Sequence, residues 1–176
     1  AGAALGLTGL AASGGGSPSG PAAGGAAAAP VIEAPVIKGA FIAQPARYKV
    51  DSREIKLESG YGIEIKYHLQ KGAGMVYSWT STPGEELLFY EFHAEPDVKP
   101  AGAPADYYES YDKDDQVGKS QSHGTFIAPS TGIHGWFWEN QTGVPVTIKL
   151  VTAGFYDYIL QNKDDAKTRL QPADPK

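Results

Sequence analysis

The 176-residue sequence is predicted to fold as an all-β, antiparallel β-sandwich behind an extended low-complexity N-terminal segment. Three observations carry that prediction. From Tyr48 onward, apolar residues recur at every second position in short runs, which is the period of a strand with one buried face. Gly and Pro clusters punctuate the runs at short, regular spacing. No segment carries the i, i+3, i+4 apolar spacing of an amphipathic helix, so strands must cover strands.

Residues 1–46 read as a leader and docking linker. Ala1–Ala29 is almost wholly Ala, Gly, Ser and Pro, and it has too little apolar surface to offset the entropy of ordering it. Pro30–Ala46 is different, with Pro-Val-Ile at 30–32 and again at 35–37. Proline before each Val-Ile pair favours an extended strip. Val31, Ile32, Val36, Ile37, Phe41 and Ile42 are too many apolar residues for a purely solvated linker. They are expected either to add to the domain's own edge or to dock on another subunit.

Residues 47–160 read as the sandwich. Ile55 and Leu57 alternate with charged residues before the Ser59-Gly60 turn, and Ile63, Ile65, Tyr67 and Leu69 alternate with Glu64, Lys66, His68 and Gln70 on a wet face. Met75–Thr80 places Met75, Tyr77 and Trp79 on one side and ends at Pro83-Gly84. Leu87–Glu95 opposes Leu88, Tyr90, Phe92 and Ala94 to Glu91, His93 and Glu95. After a loop at Pro96–Pro104, the acidic Tyr107–Asp115 reads as a short edge strand running into a turn. Ser122–Ile127, Ile133–Glu139 and the alternating Val146, Ile148 and Leu150 are three strands joined at Pro129–Gly132 and Asn140–Gly143, and Phe155–Leu160 packs after them. Residues 161–176 carry mixed charge and two prolines, and are expected to be a short helix or a solvated polar tail.

A formal charge of −5, with no basic stripe, argues against nucleic acid as a partner. The absence of Cys rules out disulfides and thiolate metal sites, and leaves the redox compartment open. No nucleophile elbow, nucleotide loop or Cys nucleophile is present, so the sequence reads as non-catalytic.

Several residues remain as candidates for binding. His93 is flanked at two-residue spacing by Glu91 and Glu95, a set able to hold a divalent metal if His134 or His123 joins it; the alternative is a charged wet face. Alternation places His134 with Trp136 and Trp138, where it is also readable as a core-edge histidine. Trp136, Phe137 and Trp138 make both faces of their strand aromatic, so one face needs a loop, a partner or a ligand as cover. With Tyr107, Tyr108 and Tyr111, Trp136 and Trp138 are a possible carbohydrate platform; Phe137 is a candidate partner contact. Asp112, Asp114 and Asp115 lack the Gly and closing Glu of a calcium loop.

The order G-T-F-x-A-P at 124–129, G-I-H-G-W-F-W-E-N at 132–140 and P-V-T-I-K-L at 145–150 resembles bacterial proteins described as transmembrane anchor proteins. The likeness extends from Ile55 to about Tyr156, and Ala4–Thr8 looks like the residues that follow that family's membrane helix. Gly132, Trp136, Trp138 and Asn140 are more loosely similar to a motif of GOLD-type jelly rolls, which are binding modules. The resemblance implies a GOLD-like jelly roll at the periplasmic face of a bacterial inner membrane, anchored by a helix N-terminal to this sequence. It implies location and architecture rather than a reaction. His93, the YESYDK segment at 108–113, His134, Trp136 and Trp138 are the positions it singles out. The expected function is an accessory, non-catalytic subunit bound to other proteins of a respiratory, photosynthetic or transport complex. A carbohydrate or divalent-metal binding module is the alternative.

Overall fold

Ten strands account for the fold: β1 (Lys49–Leu57), β2 (Gly62–Leu69), β3 (Gly74–Thr82), β4 (Leu88–Pro96), β5 (Glu109–Lys119), β6 (Gln121–Ile127), β7 (Gly132–Glu139), β8 (Val146–Gly154), β9 (Tyr156–Lys163) and β10 (Ala166–Leu170). The computed structural model describes residue 39 and residues 41–84, 87–164 and 166–175, all within one compact unit, Lys38–Lys176. Among the described residues there is no helix. Val31, Ile32, Val36 and Ile37, expected to dock, lie outside the described residues.

All strand pairing is antiparallel, and its plan is simple. β1 pairs with β8, β2 with β7, β3 with β6 and β4 with β5, so the first eight strands form one long hairpin with its tip between β4 and β5. Rolling that hairpin up pairs β3 with β8 and β4 with β7 as well. The result is a four-stranded sheet, β1-β8-β3-β6, and a second sheet containing β2-β7-β4-β5. This is a jelly roll, one form of the antiparallel β-sandwich that the strand pattern predicts. β9 pairs along the free side of β2 and β10 along β9, widening the second sheet to six strands.

The core follows the alternation in each strand. Leu57, Ile65, Leu69, Trp79, Leu88, Trp136, Trp138, Ile148 and Leu150 are fully buried between the sheets. The indoles form its centre: Trp79 meets Trp138 edge to face at 5.6 Å, and Trp136 stacks on Trp138 at 5.7 Å and lies 4.7 Å from Phe92. Such ring pairs add to the burial of their area.

Two segments differ from expectation. Residues 161–176 are neither helix nor free tail: β9 runs to Lys163, β10 follows, and Ala173 exchanges both backbone hydrogen bonds with Val50. With Leu170 the only large apolar residue of β10, no hydrophobic period announces that strand; cross-strand contacts hold it, including the Arg169 guanidinium 3.7 Å over the Tyr158 ring. The acidic segment is an edge strand, but it continues to Lys119 instead of turning near Asp115. Asp114 explains this, because its Oδ1 accepts the N–H groups of Gln116, Val117 and Gly118 and turns the expected break into a bulge within the strand.

Candidate functional site

The outer face of the six-stranded sheet carries an unusual polar cluster. Pairing across β2, β7 and β4 sets Lys66, Gly135 and His93 in one transverse row, with Glu64, Phe137 and Glu91 in the next and His68, Ile133 and Glu95 on the other side. Because residue 135 has no side chain, the groups on β2 and β4 meet above β7. Lys66 Nζ reaches across to bind Glu95 and also lies 3.1 Å from Glu64 Oε1, while His93 Nε2 lies 3.5 Å from that same oxygen. A Cβ at position 135 would stand 2.1 Å from the Ile65 carbonyl oxygen and 2.7 Å from Lys66 Cα. Glycine at this point is therefore a condition of the strand pairing and of the cluster alike.

This face is not the wet one that the alternation suggests. Lys66 is 1 % exposed, and His68 and His93 are each 8 % exposed. Tyr108 sets its ring edge-on to His93 at 5.5 Å, and Tyr158 stacks flat on His68 at 4.8 Å. His68 is held further by Asp157 on Nδ1 at 2.9 Å and Asp97 on Nε2 at 3.1 Å. Both of those bonds are made when both ring nitrogens carry a proton. Burial alone would push the Glu64 carboxyl up; contact with His93, the Lys66 charge and an amide bond from Asn162 outweigh it and hold the group at about 2.

Glu64, His93 and Glu95 each offer one ligand atom, and these atoms lie within 4.8 Å of one another. That donor set suits a transition dication. Glu91 shares the face but stands outside the set, opposite Phe137 and Lys113.

The other histidines are elsewhere. His134 is buried between the sheets, with Nε2 bonded to the Ser130 carbonyl at 3.0 Å and Nδ1 3.3 Å from the Tyr111 hydroxyl; burial pushes it below the ordinary range. His123 sits on the outside of the four-stranded sheet, 2.6 Å from Ser78 Oγ. The three candidate histidines thus occupy three different layers of the molecule, so neither His134 nor His123 completes a site with His93. Glu64, which does, is absent from the sequence-derived set because its contact with His93 depends on β7 entering between β2 and β4.

The aromatic platform is also corrected. Trp136 and Trp138 are 1 % and 0 % exposed, because a central strand turns its alternate residues into the sandwich. Tyr111 packs on Phe92, Phe126 and His134, and Tyr107 hydrogen-bonds to Glu109. Phe137 points the other way, meets Phe89 edge to face at 6.0 Å and lines a groove of about 470 Å³ with Tyr61, Glu64, Glu139 and Asn162. Asp112 and Asp114 are committed to partners on their own sheet, Asp112 to Tyr90 and Lys119 and Asp114 to backbone amides.

The opposite outer surface carries an apolar patch at one end, beside polar groups such as the Glu54–Lys149 ion pair and the Ser78–His123 contact. Val151 and Val76 are each 51 % exposed, Ile127 is 55 % exposed and Tyr48 45 %. Register places Ala153 beside Val76, and Tyr48, Val76, Thr125, Ile127 and Ala153 line a groove of about 340 Å³. Phe41 and Ile42, just before this face, are exposed. Gln44 holds that stretch by donating to the Gly72 carbonyl at 3.1 Å.

No family model matches the chain, and no curated protein matches it.

Proposed function

We propose that the protein is a non-catalytic interaction subunit, a jelly-roll module that joins a larger bacterial membrane complex at its periplasmic side. One observation carries the reading: one end of the outside of the four-stranded sheet presents Tyr48, Val76 and Ile127 to solvent around an apolar groove, with Val151 also half exposed on that face, a local apolar patch of the kind that marks a partner's contact. Phe41 and Ile42, exposed on the incoming chain, offer further apolar contacts in this reading. The Gly/Ala/Pro-rich residues 1–29 are a spacer between membrane and domain in this reading. Anchoring by a helix N-terminal to this sequence rests on the resemblance to transmembrane anchor proteins; among the described residues no helix is long and apolar enough to cross a membrane. A respiratory, photosynthetic or transport complex is the setting that this location favours.

The test is gentle detergent extraction of native membranes, size-exclusion chromatography and mass spectrometry of what travels with the protein. A Val76→Glu/Val151→Glu variant runs in parallel. The wild type is expected in a high-mass fraction with a defined set of subunits, and the variant alone at low mass. Both positions are half exposed, so the variant keeps its fold to within about 0.5 kcal/mol per site. A wild type that migrates alone, or a folded variant that still co-migrates, refutes the reading.

A further inference from the structure

The Glu64–His93–Glu95 cluster goes beyond the interaction reading and does not depend on it. Two carboxylates and an imidazole from two strands converge, with their ligand atoms within 4.8 Å of one another. The His93 ring is nine-tenths buried, its Nδ1 has no hydrogen-bond partner, and its Nε2 lies 3.5 Å from Glu64 Oε1. A buried imidazole half-satisfied in this way is costly unless its free capacity serves a ligand set. Lys66 completes the arrangement. Its ammonium holds Glu64 and Glu95 together, and its side chain is 2 % exposed. The charge that a bound cation would supply is supplied by the chain.

We propose that Glu64, His93 and Glu95 form a divalent transition-metal site in which Lys66 is the resident cation, so that a metal enters by displacing the lysine ammonium from the two carboxylates. The ligands are a carboxylate oxygen of Glu64, a ring nitrogen of His93 and a carboxylate oxygen of Glu95, and one coordination position or more stays open to water. Glycine at 135 permits the close approach of β2 to β7 on which the cluster depends. Like-charge repulsion makes occupation by metal and by ammonium mutually exclusive. The wild-type site is therefore a weak metal site with a built-in competitor, and neutralising residue 66 converts it to a tight one.

The experiment titrates the full chain with Co(II), read by its visible ligand-field absorption and by the shift in Tm, with Zn(II) as competitor. Wild type, Lys66→Gln, and Lys66→Gln combined with Glu64→Gln or His93→Ala are compared, each checked for fold by circular dichroism. Lys66→Gln is expected to bind one equivalent of Co(II) about 100-fold more tightly than the wild type, the repulsion having been removed. Adding Glu64→Gln or His93→Ala returns binding to the wild-type level. Should Lys66→Gln lose its fold, Lys66→Met refolded with equimolar Zn(II) carries the same comparison. A folded residue-66 variant that binds no more tightly than the wild type, or whose binding survives His93→Ala, overturns the proposal.

Discussion

Asn140 closes the β7–β8 connection, and its removal tests the packing at that end of the sandwich. Its side chain is completely buried and uses all its hydrogen-bonding capacity. Nδ2 donates to the Leu57 carbonyl at 3.0 Å and the Val144 carbonyl at 2.8 Å, while Oδ1 accepts from Thr142 N at 3.0 Å and Thr142 Oγ1 at 2.6 Å. In Asn140→Ala, the Thr142 hydroxyl, with its one proton released from Asn140, turns fully to the Val144 carbonyl at 2.9 Å, but the Leu57 carbonyl and the Thr142 amide lose their partners. Two unmatched groups at about 1–3 kcal/mol each give a loss of about 3 kcal/mol. Asn140→Asp is the sharper perturbation. It preserves shape and the Thr142 bonds, yet sets an oxygen against two carbonyls, and is expected to cost about 4 kcal/mol, no less than alanine. Urea unfolding followed by fluorescence of the buried Trp79, Trp136 and Trp138 reads both variants. With a slope of about 1.5 kcal/mol/M, the alanine variant's midpoint falls by about 2 M. An Asn140→Asp protein within about 1 kcal/mol of the wild type refutes the hydrogen-bond assignment. The same burial bears on the N-x-T sequence at Asn140, whose side chain is closed to modification in the folded protein.

Three further predictions follow from the polar groups. Gly135→Ala forces a methyl against backbone atoms of β2, which no rotamer change relieves, and is expected to cost about 3 kcal/mol in urea unfolding and to weaken the Lys66–Glu95 contact; a near-neutral result contradicts the close approach. The Glu64 carboxyl is lowered from 4.5 to about 2, so its contribution is fully present above about pH 4.5 and is lost as pH falls through about 2. That shift corresponds to about 3 kcal/mol, which solvent screening reduces to about 2, and the stability gap between wild type and Glu64→Gln should close over this window; a gap independent of pH refutes the ion contacts. His134 is lowered by burial, so the unfolded chain takes up its proton first as pH falls below about 6.5, and stability declines from there through the lower folded value. His134→Gln should remove that part of the slope, and an unchanged slope places the titration elsewhere.

Much of the candidate site was hidden in plain composition. His93 and Glu95 stand two residues apart and were readable as neighbours on one face. Glu64 and Lys66 were readable as one face of their own strand, but nothing local says that this face lies beside the other. The 97–108 loop and β9–β10 then bury it, through Tyr108 on His93 and Tyr158 on His68. A charge between apolar residues looks solvated until the cover is known.

What the sequence by itself determined was local. Period-two alternation set which residues of each strand face inward, so that Trp136 and Trp138 go one way and Phe137 the other, and Gly and Pro clusters set where strands end. Those signals suffice for an all-β sandwich, because each depends on residues a few positions apart. Tertiary structure alone decided the strand order, and with it the meeting of β2 and β4 across β7, a strand that comes later in the chain than both. Strand order depends on which backbone groups close long hairpins and on how the rolled sheets share their aromatic core, and neither is written in any short stretch. Glu64 and His93 become partners only there, over a glycine whose importance no pattern along the chain discloses.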